Sequence, residues 1–152
     1  MKNETGSSLI EMLTTVCLIG ILVQFMAVSF VDFKESFAQS NARYQLDADL
    51  RRLRNEAVAA GAQASIVFNS AGNSYSAGLD YYPFNSNNTP DSTLFTRTFD
   101  SRISVTTSRT IVFSSRGYVS DGAGNMTTVA IALRYGSQTY YSATLYATGA
   151  LA

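Results

Sequence analysis

The sequence is poor in the residues that most often carry metal binding and catalysis. It has no histidine, no tryptophan and a single cysteine, Cys17, among 152 residues. One cysteine cannot form an intramolecular disulfide, and the usual zinc sites need several His or Cys ligands. Cys17 lies in an apolar run, where a buried thiol is inert. The sequence therefore predicts no metal and no cofactor.

Charge is also sparse, and its two signs cancel. Lys and Arg number 11, as do Asp and Glu, so the formal net charge is zero. A balanced chain has no overall attraction to nucleic acid or anionic lipid. Its one dense basic group has acidic neighbours at helical spacings: Arg51, Arg52 and Arg54 lie among Asp47, Asp49 and Glu56. We interpret this group as a self-neutralised, solvent-facing helix surface rather than a site for DNA or lipid headgroups.

Lysine and proline are rare as well. Serine–lysine catalysis would have to use Lys34, the only lysine after the first few residues, and it follows directly on an apolar run. The sequence thus predicts no catalytic residues and no enzyme activity. Both prolines, Pro83 and Pro90, fall within residues 80–92, so none interrupts the first 60 residues.

The chain does contain one long apolar run near its start. Leu9 to Val31 exceeds the roughly 20 apolar residues that a membrane-crossing helix needs. Glu11 stands just inside it, at a cost of about 2.5–3.5 kcal/mol on insertion scales. From the residues alone, Glu11 either has a partner charge or extends to the membrane interface.

The residues around this glutamate resemble the processing signal of type IV pilins and type II secretion pseudopilins. That family has a polar leader, a glycine, the cleavage point, any two residues, two apolar residues and a glutamate. Here the segment reads MKNETG, ending at Gly6, followed by Ser7, Ser8, Leu9, Ile10 and Glu11. Gly20 stands where the family often has a glycine within its apolar helix.

The resemblance implies a role for each of these positions. A prepilin peptidase would cut between Gly6 and Ser7, and the new amine of Ser7 would be N-methylated. Glu11 would contact the N-terminal amine of a neighbouring subunit during assembly, and Gly20 would give the helix flexibility. Two features depart from the family. Ser7 replaces the usual phenylalanine or methionine, and no proline occurs near Val28.

After Val31 the pattern becomes amphipathic. Apolar residues recur at intervals of three and four, as on one helix face: Ala42, Leu46, Leu50, Leu53, Ala57 and Ala60. Gly61 is the first stop signal. Ser and Asn within residues 36–41 leave a break possible there. We divide the chain into a leader (1–6), a transmembrane and filament-core helix (7–31), an amphipathic helix (32–61) and a β-rich head (62–152).

The head shows the period of two that is typical of strands. Predicted strands span 64–68, 74–77, 94–99, 103–106 and 110–114, followed by a hairpin with arms 127–135 and 139–147. Residues 80–92 form a loop, whose aromatic residues Tyr81, Tyr82 and Phe84 either pack on the sheet or make a contact surface. Asp121 to Asn125 resembles part of a calcium loop, but turn chemistry explains it without a metal.

These elements predict an α+β fold, a pilin-like lollipop with a long N-terminal helix packed on an antiparallel sheet. The order resembles minor pilins and pseudopilins of the GspH/FimT type. The similarity rests on Leu53 to Ala57, the strand Ala64 to Phe68, the segment Ile111 to Gly117 and a terminal hairpin ending near Gly149.

The resemblance implies a minor pilin that helps to initiate or cap a type IV pilus. The alternatives are an H-type pseudopilin of type II secretion and an adhesive subunit. Expected partners are other subunits, the prepilin peptidase and the inner-membrane assembly platform. The expected location is the inner membrane, single-pass with a periplasmic head, and then the filament. Some minor pilins of this type bind DNA through a basic motif at the C-terminal end. The corresponding stretch here, Gly149 to Ala152, carries no Arg or Lys, so nucleic acid is not an expected partner.

Overall fold

The structure, a computed structural model, describes residues 9–69, 71–81 and 90–152, and for residues 25–29 it describes the backbone only. Gly6, Ser7 and the loop residues Tyr82 and Phe84 lie outside the described residues. The chain divides into two compact units, Met1–Ala38 and Gln39–Ala152.

One helix precedes eight strands in the described residues. Their bounds are α1 (Leu9–Ala60), β1 (Gln63–Phe68), β2 (Ser74–Asp80), β3 (Ser92–Thr98), β4 (Ile103–Thr107), β5 (Ile111–Phe113), β6 (Val119–Ser120), β7 (Val129–Tyr135) and β8 (Gln138–Leu145). Residues 36–41 are helical, so the break considered from the sequence is not there. The helix ends in a Schellman motif, in which the Gly61 N–H donates to Val58 O and the Ala62 N–H to Ala57 O.

The second part of α1 buries one face, as its spacing predicts. Ala42, Leu46, Leu50, Leu53 and Ala57 are all at most 3% exposed. Two positions differ from the prediction. Ala60 is exposed because the chain turns at Gly61, so that Ala62 enters the core instead. Asp49, expected on the solvated face, is buried because it lies one helical turn from both Leu46 and Leu53.

The strands form two antiparallel sheets, of order β3-β2-β1-β5-β6 and β4-β7-β8. In β7, Val129, Ile131 and Leu133 are buried and alternate with more exposed residues. A two-residue connection, Gly136 and Ser137, joins β7 to β8. The α+β prediction, with the helix packed on antiparallel sheet, is confirmed.

Several strand ends differ from the sequence prediction, β3 for example beginning at Ser92 instead of 94, and two differences have a structural reason. β2 runs to Asp80, past Gly78, where a bulge shifts its register with β3. A side chain at Gly78 would place Cβ only 2.2 Å from Ser92 O, so the strand needs a glycine here. β6, a two-residue strand that the sequence did not predict, forms just before the Asp121 turn because it pairs with Val112 and Phe113.

In the described part of the chain, backbone hydrogen bonds connect the two sheets at more than one place. The Val105 N–H donates to Gly72 O at 2.8 Å, joining β4 to the β1–β2 turn. Elsewhere, residues 146–152 form a closing segment that follows β8. The Val119 N–H donates to Ala147 O at 2.8 Å, and Leu151 forms a bridge with Leu145 of β8. This closing segment therefore contacts both sheets.

Candidate functional site

The first unit presents an apolar surface on every side of its helix. Between Leu9 and Val23, all ten large apolar side chains are 53–83% exposed. Further along, Phe30, Val31, Phe33 and Phe37 are 58–65% exposed. Patches larger than a few hundred Å² mark contacts with protein or membrane. We refer to these residues as the exposed apolar surface.

Glu11 is the acidic residue in the first described turn of this helix. Its backbone carbonyl accepts hydrogen bonds from the hydroxyls of Thr14 at 2.9 Å and Thr15 at 2.7 Å. These bonds give the two threonine hydroxyls an acceptor within a segment whose other side chains are mostly apolar. At Gly20, a Cβ would meet nothing within 4 Å, so no contact in the described chain requires a glycine there. The roles assigned to Glu11 and Gly20 stay predictions.

Aromatic side chains cluster where the apolar run gives way to charged residues. Lys34 Nζ lies 4.9 Å from the Phe30 ring centroid, and the rings of Phe33 and Phe37 stack with centroids 6.2 Å apart. A lysine with aromatic neighbours is typical of a boundary between apolar and aqueous surroundings.

In the second unit, a buried carboxylate connects the helix to the five-stranded sheet. Asp49 is 5% exposed, and its Oδ2 accepts hydrogen bonds from Tyr75 Oη at 2.7 Å and Arg97 Nε at 3.1 Å. Tyr75 belongs to β2 and Arg97 to β3. Burial, and then the hydrogen bond to Asp49, raise the pKa of Tyr75. We call these three residues the Asp49 clamp.

Aromatic rings surround this clamp. The Tyr75 ring packs 5.5 Å from that of Phe68 and 5.3 Å from that of Phe99. On its outer side, the guanidinium carbons of Arg52 and Arg97 lie 5.1 Å and 5.4 Å from the Phe95 ring centroid. The arrangement stabilises the packing of the helix on β2 and β3.

Arg54 connects the helix to more distant parts of the chain. Its Nε donates to Gly117 O at 2.8 Å. A Cβ at Gly149 would lie 2.9 Å from Arg54 Nε, so this glycine lets the backbone approach the guanidinium. The side chain is thereby held against two separate backbone segments.

The dense basic group is only partly self-neutralised, because Arg54 donates to the Gly117 carbonyl and forms none of the ion pairs of this group. Arg51 pairs with Asp47 at 3.1 Å and Arg52 with Glu56 at 3.9 Å. Asp49 does not join them, because it is buried against Tyr75 and Arg97.

The Asp121 loop is a turn stabilised by its own carboxylate. Asp121 Oδ1 accepts from the backbone N–H of Ala123 and of Asn125, and Oδ2 accepts from Asn125 Nδ2 at 2.9 Å. The hydrogen bond from the Asn125 side chain lowers the pKa of Asp121. No group of three or more His, Cys, Asp or Glu suited to a metal occurs in the part of the chain that the structure describes.

Three tyrosines of the second unit have different surroundings. Tyr81 is 47% exposed. Tyr140 Oη donates to Gln39 O at 3.4 Å, and the Arg43 guanidinium lies 4.4 Å from the Tyr141 ring centroid. Tyr140 and Tyr141 are therefore packed against the helix.

Within residues 9–69, 71–81 and 90–152, no helix combines the length and the apolar character needed to cross a bilayer. The span predicted over 7–31 stays a prediction.

Comparison with known families decides the classification. The family model described as Type II transport protein GspH matches residues 42–149, most of the chain. The chain belongs to the GspH family. This family consists of structural pilin and pseudopilin subunits, which assemble with other such subunits. Among curated proteins, none matches the chain.

Solved structures with the same fold include pilus and secretion proteins. The type IV minor pilin FimU of Pseudomonas aeruginosa is similar with TM-score 0.62 and 17% identity, over 79% of this chain and 90% of FimU. The minor pseudopilin EpsH from the type 2 secretion system of Vibrio cholerae is similar with TM-score 0.55 and 12% identity, over 75% of this chain and 94% of EpsH. The GspH-type fold predicted from the sequence is thus confirmed.

Sequence reasoning missed the Asp49 clamp and the contacts of Arg54. For Asp49 a signal existed, since its spacing from Leu46 and Leu53 places it on the apolar stripe. For Arg54 there was none, because Gly117 and Gly149 are distant in the sequence.

Proposed function

We propose that this chain is a minor pilin, a structural subunit that helps to initiate or cap a type IV pilus. The exposed apolar surface carries the proposal, because in a GspH-family chain such a surface needs lipid or other subunits to cover it. The membrane covers it before assembly and neighbouring helices cover it afterwards. The role is structural and does not involve catalysis.

Processing gives the first turn its function. A prepilin peptidase cuts after Gly6 and leaves an ammonium at Ser7, which is then methylated. Glu11 of one subunit pairs with this ammonium of its neighbour. In an apolar surrounding, each charge offsets the desolvation cost of the other. Glu11 thereby sets the register of a subunit entering the filament.

The same proposal fixes the location. The helix over residues 7–31 holds the subunit in the inner membrane, with Lys2 of the leader on the cytoplasmic side and the head in the periplasm. The inner-membrane assembly platform then moves the subunit into the filament. The sequence pattern around Gly6 and Glu11 supports this route.

Mass spectrometry of the mature N-terminus tests the proposal. Protein from membranes and from sheared filaments is expected to lack residues 1–6 and to carry a methyl group on Ser7. A Gly6→Val chain is the control and should keep its leader. Intact Met1 in assembled wild-type protein would overturn the proposal, whereas a correct cut without methylation would remove only the methylation step.

An H-type pseudopilin of type II secretion is the second candidate. It is favoured by the family description, which names a type II transport protein. A deletion strain separates the two functions. Fewer surface pili with normal exoprotein secretion supports the minor pilin, and the reverse supports the pseudopilin. Complementation with the intact chain is the control for both phenotypes.

A further inference from the structure

A groove in the second unit lies between α1 and the closing segment. Its volume is about 420 Å³, within the range of ligand sites. The helix contributes most of its polar lining, and the closing segment forms the opposite wall. Its lining includes Leu50, Arg54, Asn55, Leu145 and Leu151.

The wall of this groove is held by backbone hydrogen bonds. The Gly149 N–H donates to Tyr146 O and the Tyr146 N–H to Ala150 O, both at 2.8 Å. The Ala152 N–H donates to Thr144 O at 3.1 Å. The groove is therefore formed before any ligand arrives, which lowers the entropic cost of binding.

Arg54 is positioned in the groove with donors to spare. Its Nε is occupied by Gly117 O, and the close approach of Gly149 restricts the side chain. None of the four ion pairs among the described residues involves Arg54. A guanidinium has five N–H donors, so the two terminal nitrogens remain available for a planar acceptor such as a carboxylate.

The rest of the lining defines the ligand further. The two oxygens of Asp47 both accept from Arg51 Nε, at 3.2 Å and 3.1 Å, so these two charges cancel. One positive charge, that of Arg54, is left over. The apolar floor consists of Leu50 and Leu145, which are buried, together with Leu151. A polyanion such as DNA would meet the Asp47 carboxylate, whereas a single carboxylate beside an apolar group matches both features.

We propose that this groove binds an acidic segment of a partner protein, with an Asp or Glu carboxylate on the terminal nitrogens of Arg54 and an adjacent apolar side chain on Leu50, Leu145 and Leu151. The segment is short, because the volume admits only a few residues. The inference concerns the head and does not depend on which apparatus the chain serves.

Residue-resolved NMR of the full chain in detergent micelles tests this site. The probes are the capped peptide Leu-Glu-Leu-Asp-Leu, its neutral counterpart Leu-Gln-Leu-Asn-Leu and a short thymidine oligonucleotide. We expect the acidic peptide to shift the Arg54 Nε–H and the amides of Gly149 and Leu151. Equal binding of the neutral peptide, no binding of the acidic one, or displacement of it by the oligonucleotide would each overturn the proposal.

Paired variants locate the binding. Arg54→Gln should weaken the acidic peptide about tenfold or more, since it removes a charge-assisted bidentate contact, while Arg109→Gln removes a charge elsewhere and should not. Asn55→Glu places a competing carboxylate on the exposed rim without removing any observed bond of the head, so it tests the site even if Arg54→Gln fails to fold. Ala59→Glu is its control on the same helix. Unchanged affinity in Asn55→Glu contradicts the groove as the site.

Discussion

At the scale of single residues, Asp49 and Asp47 are the same residue type on one helix in opposite surroundings. Asp49 is buried with two partners, whereas the Asp47 side chain is 31% exposed and pairs with an Arg51 side chain that is 75% exposed. Removing one member of a buried hydrogen-bonded group leaves the others unsatisfied, and water compensates for the loss at the surface.

Asp49→Ala should therefore lower the free energy of unfolding by about 1–3 kcal/mol, because it leaves the Tyr75 hydroxyl buried without an acceptor. Asp47→Ala is the matched control, with an expected cost of about 0.3–0.5 kcal/mol. Urea unfolding of the full chain in micelles, followed by near-UV circular dichroism, measures both. Equal losses in the two variants would contradict the role given to Asp49.

Tyr75 should make the free energy of unfolding of the head decrease at alkaline pH. Burial raises its pKa in the folded protein above the value of about 10 for an unfolded tyrosine. Above that pH the unfolded chain releases the proton first, so the free energy of unfolding should fall as pH rises. Tyr75→Phe should flatten this decline between about pH 10 and 11, compared by urea unfolding at each pH. Tyr140→Phe is the comparison, because burial also raises the pKa of Tyr140. A decline as steep in Tyr75→Phe as in wild type would exclude Tyr75 as its source.

At the scale of elements, the head contains two glycines at turns with positive φ but different surroundings. Gly72 has φ 70°, and a Cβ there would lie 2.5 Å from Val105 O. Gly136 has φ 59° and open space around it. The first glycine is therefore required by both conformation and contact, the second by conformation alone.

Gly136→Ala should cost about 1–2 kcal/mol, the penalty for a left-handed conformation. Gly72→Ala should cost more, since the methyl group must also displace the backbone of β4 and strain the hydrogen bond between Val105 and Gly72. Thermal unfolding of both variants measures the difference. A smaller loss for Gly72→Ala would show that the junction of the sheets adapts without cost.

Elements with a local signal could be predicted from the sequence. The stripe from Ala42 to Ala57 and the alternation in β7 each contain enough periodic residues to specify the buried face. β6 has only two residues and exists because β5 lies beside it. The continuation of β2 through Gly78 similarly depends on the close approach of Ser92, which no local pattern reports.

The candidate sites divide in the same way. The motif from Gly6 to Glu11 is contiguous and was found from the sequence. The Asp49 clamp and the Arg54 groove join residues far apart in the chain, as the separation of 48 residues between Asp49 and Arg97 illustrates. Contacts of this kind follow from the folded topology, so the sequence signals the burial of Asp49 but neither its partners nor those of Arg54.

At the scale of the whole molecule, the two units bury apolar residues in different ways. The second unit encloses its own core, with Leu53, Ile66 and Leu133 fully buried. The first unit exposes its large apolar side chains. Its stability therefore depends on what surrounds it, and Glu11 is the charged group through which that dependence can be tested.

Glu11→Ala should still insert into the membrane and be cleaved, but should enter filaments poorly. It leaves the Ser7 ammonium of the neighbouring subunit uncompensated, at a cost of about 3–5 kcal/mol. Glu56→Ala, on the second part of the helix, is the matched control. Immunoblots of membrane and sheared-filament fractions measure the ratio of assembled to membrane protein. Incorporation of the Glu11 variant at the wild-type ratio would refute the assigned role.

The closing segment also bears on how the head folds during synthesis. Its residues hydrogen-bond to β6 and β8 and pack against Arg54, whose own bond to Gly117 spans 63 positions. Until residues 146–152 emerge, the nascent chain exposes Leu145 and the edge of β8. Contacts between distant residues form slowly and leave apolar surface open to association meanwhile. A chain cut short before this segment would therefore have a head in which the edge of β8 is uncovered, which makes it a substrate for chaperones and proteases.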